Sequence, residues 1–140
     1  MSIVIRRAVA LGVLLLAGCT TAPGEDGFYH LQVGRTAQVS ATFAIRFLGV
    51  PTDTRCPVDV VCVQAGNAEA QFEVSNPLSA NPLPPVPITL NTTEMPWWLD
   101  IQGYRVTLKQ LQPERVSGTV IPPNAYVAVL DIKPLEAVVD

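Results

Sequence analysis

Residues 53 to 68 read D-T-R-C-P-V-D-V-V-C-V-Q-A-G-N-A, from Asp53 to Ala68, and stand between two segments of alternating polarity. Before them, Val39, Ala41, Phe43, Ile45 and Phe47 share one parity, with Gln38, Ser40, Thr42 and Arg46 on the other. After them, Ala68, Ala70, Phe72 and Val74 alternate with Asn67, Glu69, Gln71, Glu73 and Ser75. A period of two is that of a half-buried strand, whereas a helix would scatter these apolar side chains round its circumference. The aromatic and β-branched content points the same way. The stretch is therefore expected to link two neighbouring antiparallel strands and to sit at one end of a sheet.

The same period recurs further out. Tyr29, Leu31 and Val33 alternate with His30 and Gln32, and Gly34-Arg35 reads as the following turn. Val86, Ile88 and Leu90 suggest a short strand. Tyr104, Val106 and Leu108 alternate with Arg105, Thr107 and Lys109, and Leu111 breaks the parity, which predicts a bulge or twist. Ala125 to Ile132 is apolar enough to be a central strand covered on both faces. Between these runs lie Pro122-Pro123-Asn124, a turn, and N-P-L-S-A-N-P-L-P-P-V-P from Asn76 to Pro87, which cannot be a central strand. That segment contains a PxxP pattern but reads as a stiff surface connection. The 140 residues suffice for one core, and their 13 Pro and 9 Gly favour short elements and many turns. The expected fold is all-β, a compact antiparallel β-sandwich of six or seven strands in residues 28–140, with an immunoglobulin-like layout as one form and a small barrel as the runner-up.

At the N-terminus, Arg6 and Arg7 precede the apolar run Ala8 to Leu16, which is too short to span a bilayer and has the make-up of a secretory signal. It ends in Leu16-Ala17-Gly18-Cys19, and this L-A-G-C resembles the lipobox of bacterial lipoproteins. The resemblance implies a signal peptide over residues 1–18 and a mature chain that begins at Cys19. The cysteine would carry a thioether-linked diacylglycerol and an N-acyl chain such as palmitate. Each buried CH₂ contributes about 0.8 kcal/mol, so several acyl chains anchor without help from the domain. Residues 19–27, with Thr20, Thr21, Pro23 and Gly24, read as a flexible tether. Thr20 after Cys19 is not the aspartate of an inner-membrane retention signal, so outer-membrane residence facing the periplasm is favoured.

Once Cys19 is lipidated, Cys56 and Cys62 are an even pair in an oxidising compartment, and a disulfide follows. So short a ring contributes only about 2.4 kcal/mol in the loop-closure model, so its main effect is on the shape of the loop. Structural zinc needs four ligands, and this stretch offers two sulfurs with His30 remote in sequence. Asp59 and Glu69 near Asp53 lack the spacing of a calcium loop. No metal and no cofactor other than the covalent lipid is expected.

D-T-R-C-P, four residues, then C-V-Q-A-G-N-A resembles the signature D-[S/T]-R-C-P…C-x-W-A-G-x-A of small, largely uncharacterised bacterial envelope proteins. Asp53, Arg55, Cys56, Pro57, Cys62, Ala65, Gly66 and Ala68 fit it, whereas Gln64 stands where the pattern often has tryptophan. The resemblance implies envelope location, a disulfide and β architecture, and carries no reaction with it.

Asp53, Arg55, Pro57 and Gly66 are accordingly candidates for either loop structure or binding, the structural role being the stronger reading for the charged pair. Trp97-Trp98 could supply exposed aromatic anchors, but a loop lid over the core edge is favoured. The formal net charge of −3 becomes −5 without Arg6 and Arg7, and no Lys/Arg cluster exists to neutralise phosphates, so nucleic acid is excluded as a partner. One histidine, no G-x-S-x-G elbow and no phosphate loop argue against an enzyme, a carboxylate-dependent hydrolase being the residual catalytic reading. The expected function is a lipid-anchored cell-envelope protein, attached to the membrane through its acyl chains, that is a non-catalytic binding or structural module for a protein or glycan. The alternative is an inhibitor or accessory subunit that presents the stapled loop to an envelope enzyme.

Overall fold

The computed structural model describes residues 21–81 and 83–136, so Cys19 and the signal segment lie outside the described residues. Among the described residues eight strands follow one another: β1 (Tyr29–Gln32), β2 (Thr36–Ser40), β3 (Phe43–Asp53), β4 (Ala68–Ser75), β5 (Val86–Asn91), β6 (Trp98–Ile101), β7 (Tyr104–Gln112) and β8 (Val127–Pro134). Alternation becomes burial as expected. Ala68, Ala70, Phe72 and Val74 of β4 all face the core, opposite Phe47 and Ile45 of β3. The Phe47 and Phe72 rings stack with centroids 5.0 Å apart. Phe43 of β3 and Leu31, Leu90, Val106 and Leu130 of other strands are the further large side chains that are fully buried.

Two antiparallel four-stranded sheets pack face to face, ordered β1-β8-β7-β6 and β2-β3-β4-β5. A path round the sandwich meets the strands in chain order, and β8 returns beside β1. Hydrogen bonding lapses only where the chain steps between sheets, from β1 to β2 and from β5 to β6. This is an up-and-down meander flattened into two layers, and not the Greek-key order of an immunoglobulin sandwich. β8 is the central strand the sequence suggested: Ala128, Leu130 and Ile132 enter the core, and Val129 on its other face is buried too. The bulge expected near Leu111 lies between Leu108 and Gln110.

Eight strands replace the six or seven expected, for two local reasons. Val39 to Phe47 is not one strand, because the chain reverses at the exposed pair Ala41-Thr42 and Ser40 pairs with Phe43. A two-residue reversal leaves the parity of the pattern intact, so periodicity cannot reveal it. Likewise Trp98–Ile101 is an edge strand on β7 and not a loop lid, turned through Gln102-Gly103, where both φ angles are positive as a type I′ turn requires. Pro87 is accommodated because β5 is an edge strand. Gly24 to Gly27, read as tether, form a hydrogen-bonded turn ahead of β1, with Gly24 N donating to Phe28 O at 2.8 Å and Asp26 Oδ1 accepting from Phe28 N.

Phe72→Ala should destabilise the domain by about 3–5 kcal/mol in urea unfolding, through lost burial and the cavity left behind. Leu48→Ala, at a side chain already 41% exposed, should cost less than about 1 kcal/mol.

Candidate functional site

β3 is longer than its neighbours and delivers Asp53 to one end of the sandwich, opposite Ala68 of β4. Two residues on, Arg55 folds back onto it. Arg55 Nε donates to Asp53 Oδ1 at 2.9 Å and Nη2 to Oδ2 at 2.7 Å, a two-pronged ion pair, and the Arg55 backbone N–H also donates to Oδ1. The remaining guanidinium protons reach the other sheet: Nη1 donates to Leu111 O at 2.6 Å and Nη2 to Pro113 O at 3.0 Å. The Tyr126 hydroxyl, just ahead of β8, donates to Asp53 Oδ2 at 3.0 Å. Both charged side chains are largely enclosed, 8% exposed for Asp53 and 14% for Arg55. One ion pair thus ties the end of the β3–β4 hairpin to the end of the β7–β8 hairpin.

The electrostatics follow from this geometry. Burial pushes the Asp53 carboxyl upward, but the Arg55 hydrogen bonds and charge, with the Tyr126 hydroxyl, outweigh it and hold the group below the usual carboxylate range. The Tyr126 phenol is raised, by burial first and then by the carboxylate it bonds.

The loop beyond is fastened at every turn. Thr54 N donates to Asn67 O and Cys56 N to Ala65 O, extending the hairpin ladder to the staple. Cys56 and Cys62 are joined, with their Cα atoms 5.9 Å apart. Pro57 O accepts from Val60 N, and Val58 N donates to Arg115 O at 2.9 Å. Asp59 accepts from the Ser117 backbone N at 2.8 Å and from its hydroxyl, bonds that hold its carboxyl low. Arg115 in turn donates to Arg55 O. Gly66 has a positive φ, and a Cβ there would overlap the Thr54 carbonyl, so the position accepts no side chain.

Six of the residues singled out in sequence, Asp53, Arg55, Cys56, Pro57, Cys62 and Gly66, therefore meet at one end. Trp97 and Trp98 belong to a different element. The Trp98 ring is stacked by Arg105 at 4.3 Å, Arg105 also grips Asp100 with two hydrogen bonds, and Trp97 is partly exposed. Asn67 joins the two regions: its Oδ1 accepts from Thr92 N and Thr93 N, and its Nδ2 donates to Asn91 Oδ1 at 2.8 Å. Asn67, Asn91, Arg115, Ser117 and Tyr126 were not singled out by sequence reasoning. Their partners are backbone groups and side chains far along the chain, so only the turn-forming character of Asn67 offered a signal.

Chemically, the polar groups of this end are spent on one another, while Val58, Val60, Val61 and Val63 of the loop face solvent. Among the described residues no three His, Cys, Asp or Glu side chains come together as a metal site, and His30 pairs on the surface with Asp26 at 2.8 Å. The described residues define a two-sheet β-sandwich with a disulfide-stapled hairpin loop buttressed across both sheets. Comparison with protein-family models, with curated proteins and with solved structures finds no match to this chain.

Arg55→Met should cost about 3 kcal/mol or more in urea unfolding, because it leaves the enclosed Asp53 carboxylate unpaired. The double change with Asp53→Asn should cost less than the two single changes added together. Since the folded Asp53 carboxyl lies below its unfolded value of 3.8, its stabilising effect is complete above that value and is lost as pH falls through the folded one. Wild type should therefore lose stability on acidification below about pH 4 more steeply than Asp53→Asn, a difference measurable by unfolding at a series of pH values.

Proposed function

We propose that this chain is a lipid-anchored bacterial cell-envelope protein whose sandwich is a non-catalytic binding or structural module. The observation that carries the reading is the state of the cysteines. The chain has three, and two are joined in a disulfide, which is the chemistry of an exported protein. The third, Cys19, stands at the end of L-A-G-C after an apolar signal-like run. Acyl chains on Cys19 hold the protein to the membrane, with the outer membrane facing the periplasm as the favoured site. The charged side chains at the stapled end support a non-catalytic role, because Asp53, Arg55, Asp59 and Arg115 are engaged in holding the loop. A second reading, an inhibitor or accessory subunit that offers the loop to an envelope enzyme, is favoured by one feature: the loop is already ordered and so loses little entropy on binding.

Cys19→Ser should move the protein from the membrane pellet to the soluble fraction, while wild type stays in the pellet through a high-salt wash. The wild-type N-terminal peptide should carry acyl mass on Cys19. A Cys19→Ser protein that remains membrane-bound in high salt overturns the anchor.

A further inference from the structure

The tip of the stapled loop departs from what its composition leads one to expect. V-D-V-V-C-V would ordinarily be interior sequence, yet Val61 and Val63 are 102% and 104% exposed and Val58 and Val60 are 60% and 45% exposed. The adjoining β7–β8 connection adds Val116 and Val120, also exposed. That connection is bound to the loop through Val58 N to Arg115 O and through Asp59 to Ser117, so the six valines belong to one end of the molecule.

We propose that this apolar tip is a self-association surface on which a second copy of the chain docks in a two-fold arrangement. The area is the first argument. At about 100 Å² for a valine side chain, the six at these exposures offer on the order of 450 Å², the apolar share of the roughly 800 Å² per partner that a standard interface buries. Charge is the second. A two-fold contact sets a surface against itself, and the chain as a whole is acidic, at net −3. At this end Asp53, Asp59 and Glu114 stand against Arg55 and Arg115, and Arg55 is paired with Asp53, so the segments that bear the valines are close to balanced in charge. Asp59, held by Ser117, and Glu114 remain charged beside the valines. Preorganisation is the third, because the disulfide and the cross-sheet bonds have already ordered the loop. A bilayer fits less well: interfacial insertion draws on Trp, Tyr, Lys and Arg at the rim, and these valines are accompanied by Asp59 and Glu114. The inference goes beyond the proposed function and stands whether or not Cys19 carries lipid.

A photoreactive benzoylphenylalanine placed at position 61 or 63 of the full chain tests it. Irradiation should yield an adduct of twice the chain mass, and the same probe at Lys133, on the far end of β8, should yield none. Purified wild-type chain should sediment as a concentration-dependent dimer. Val61→Asp with Val63→Asp should weaken self-association about tenfold or more while leaving the melting temperature unchanged, since both side chains are fully exposed. A wild-type chain that stays monomeric at every concentration overturns the proposal. So does an adduct from position 61 or 63 formed only with lipid or only with a different protein. Membrane release of Cys19→Ser reports on the anchor alone, so failure of one proposal is told apart from failure of the other.

Discussion

The ion pair between Asp53 and Arg55 is the constraint on which the stapled end depends. Either charge alone would be costly in so enclosed a place; each is tolerable because the other satisfies it, with two backbone carbonyls completing Arg55 and the Arg55 N–H and Tyr126 hydroxyl completing Asp53. A lysine could supply the charge but not the planar fork that reaches a carboxylate and two carbonyls at once. What distinguishes this pair from a surface salt bridge is where its bonds lead. Those to Asp53 stay within one sheet, and those to Leu111, Pro113 and Tyr126 run to the other. Compare Arg46 and Glu73, exposed and 3.4 Å apart across β3 and β4, where screening leaves little net stabilisation.

The disulfide acts on a smaller scale within this frame. It closes the ring from Cys56 to Cys62, while Arg55 sets where the ring stands relative to the two sheets and Gly66 lets the returning chain pass close to Thr54. Asn67 then carries the order onward to the β5–β6 connection. Sheet packing, ion pair, ring and loop tip therefore form a hierarchy in which each level orients the next. The exposed valines sit at its end, on a loop oriented by the enclosed Asp53–Arg55 pair and fastened at its tip by Asp59 to Ser117.

What could be read from the sequence divides along the same physical lines. β4 was legible because one face is core and the other is not, so burial writes a period of two into the chain. β2 and β3 merged because a two-residue turn at Ala41-Thr42 preserves that period, and β6 was missed because four residues containing two polar-tipped or charged side chains make no pattern. At the loop, the cysteines and Gly66 announced themselves through chemistry and conformational freedom. The partners of Arg55 did not, since the carbonyls of Leu111 and Pro113 are features any residue possesses. The valines run against the average: hydrophobicity signals burial on the whole, and the position of a ring at the end of a hairpin leaves these outside.

The meander order also distributes the difficulty of folding unevenly. Within each sheet nearly every pairing joins strands adjacent in sequence, so most of the architecture assembles through short closures. The pairing of β1 with β8 is different, because nearly the whole domain lies between Gln32 and its partner Val127. Closing so long a loop costs roughly 3 kcal/mol more entropy than closing a short hairpin, and β1 has four residues with which to offset it. Tension applied through the residues that precede β1 would therefore act first on the strand most expensive to seat, and peeling it away would uncover the apolar edge of β8 while the ion pair at the far end of β3 stayed closed.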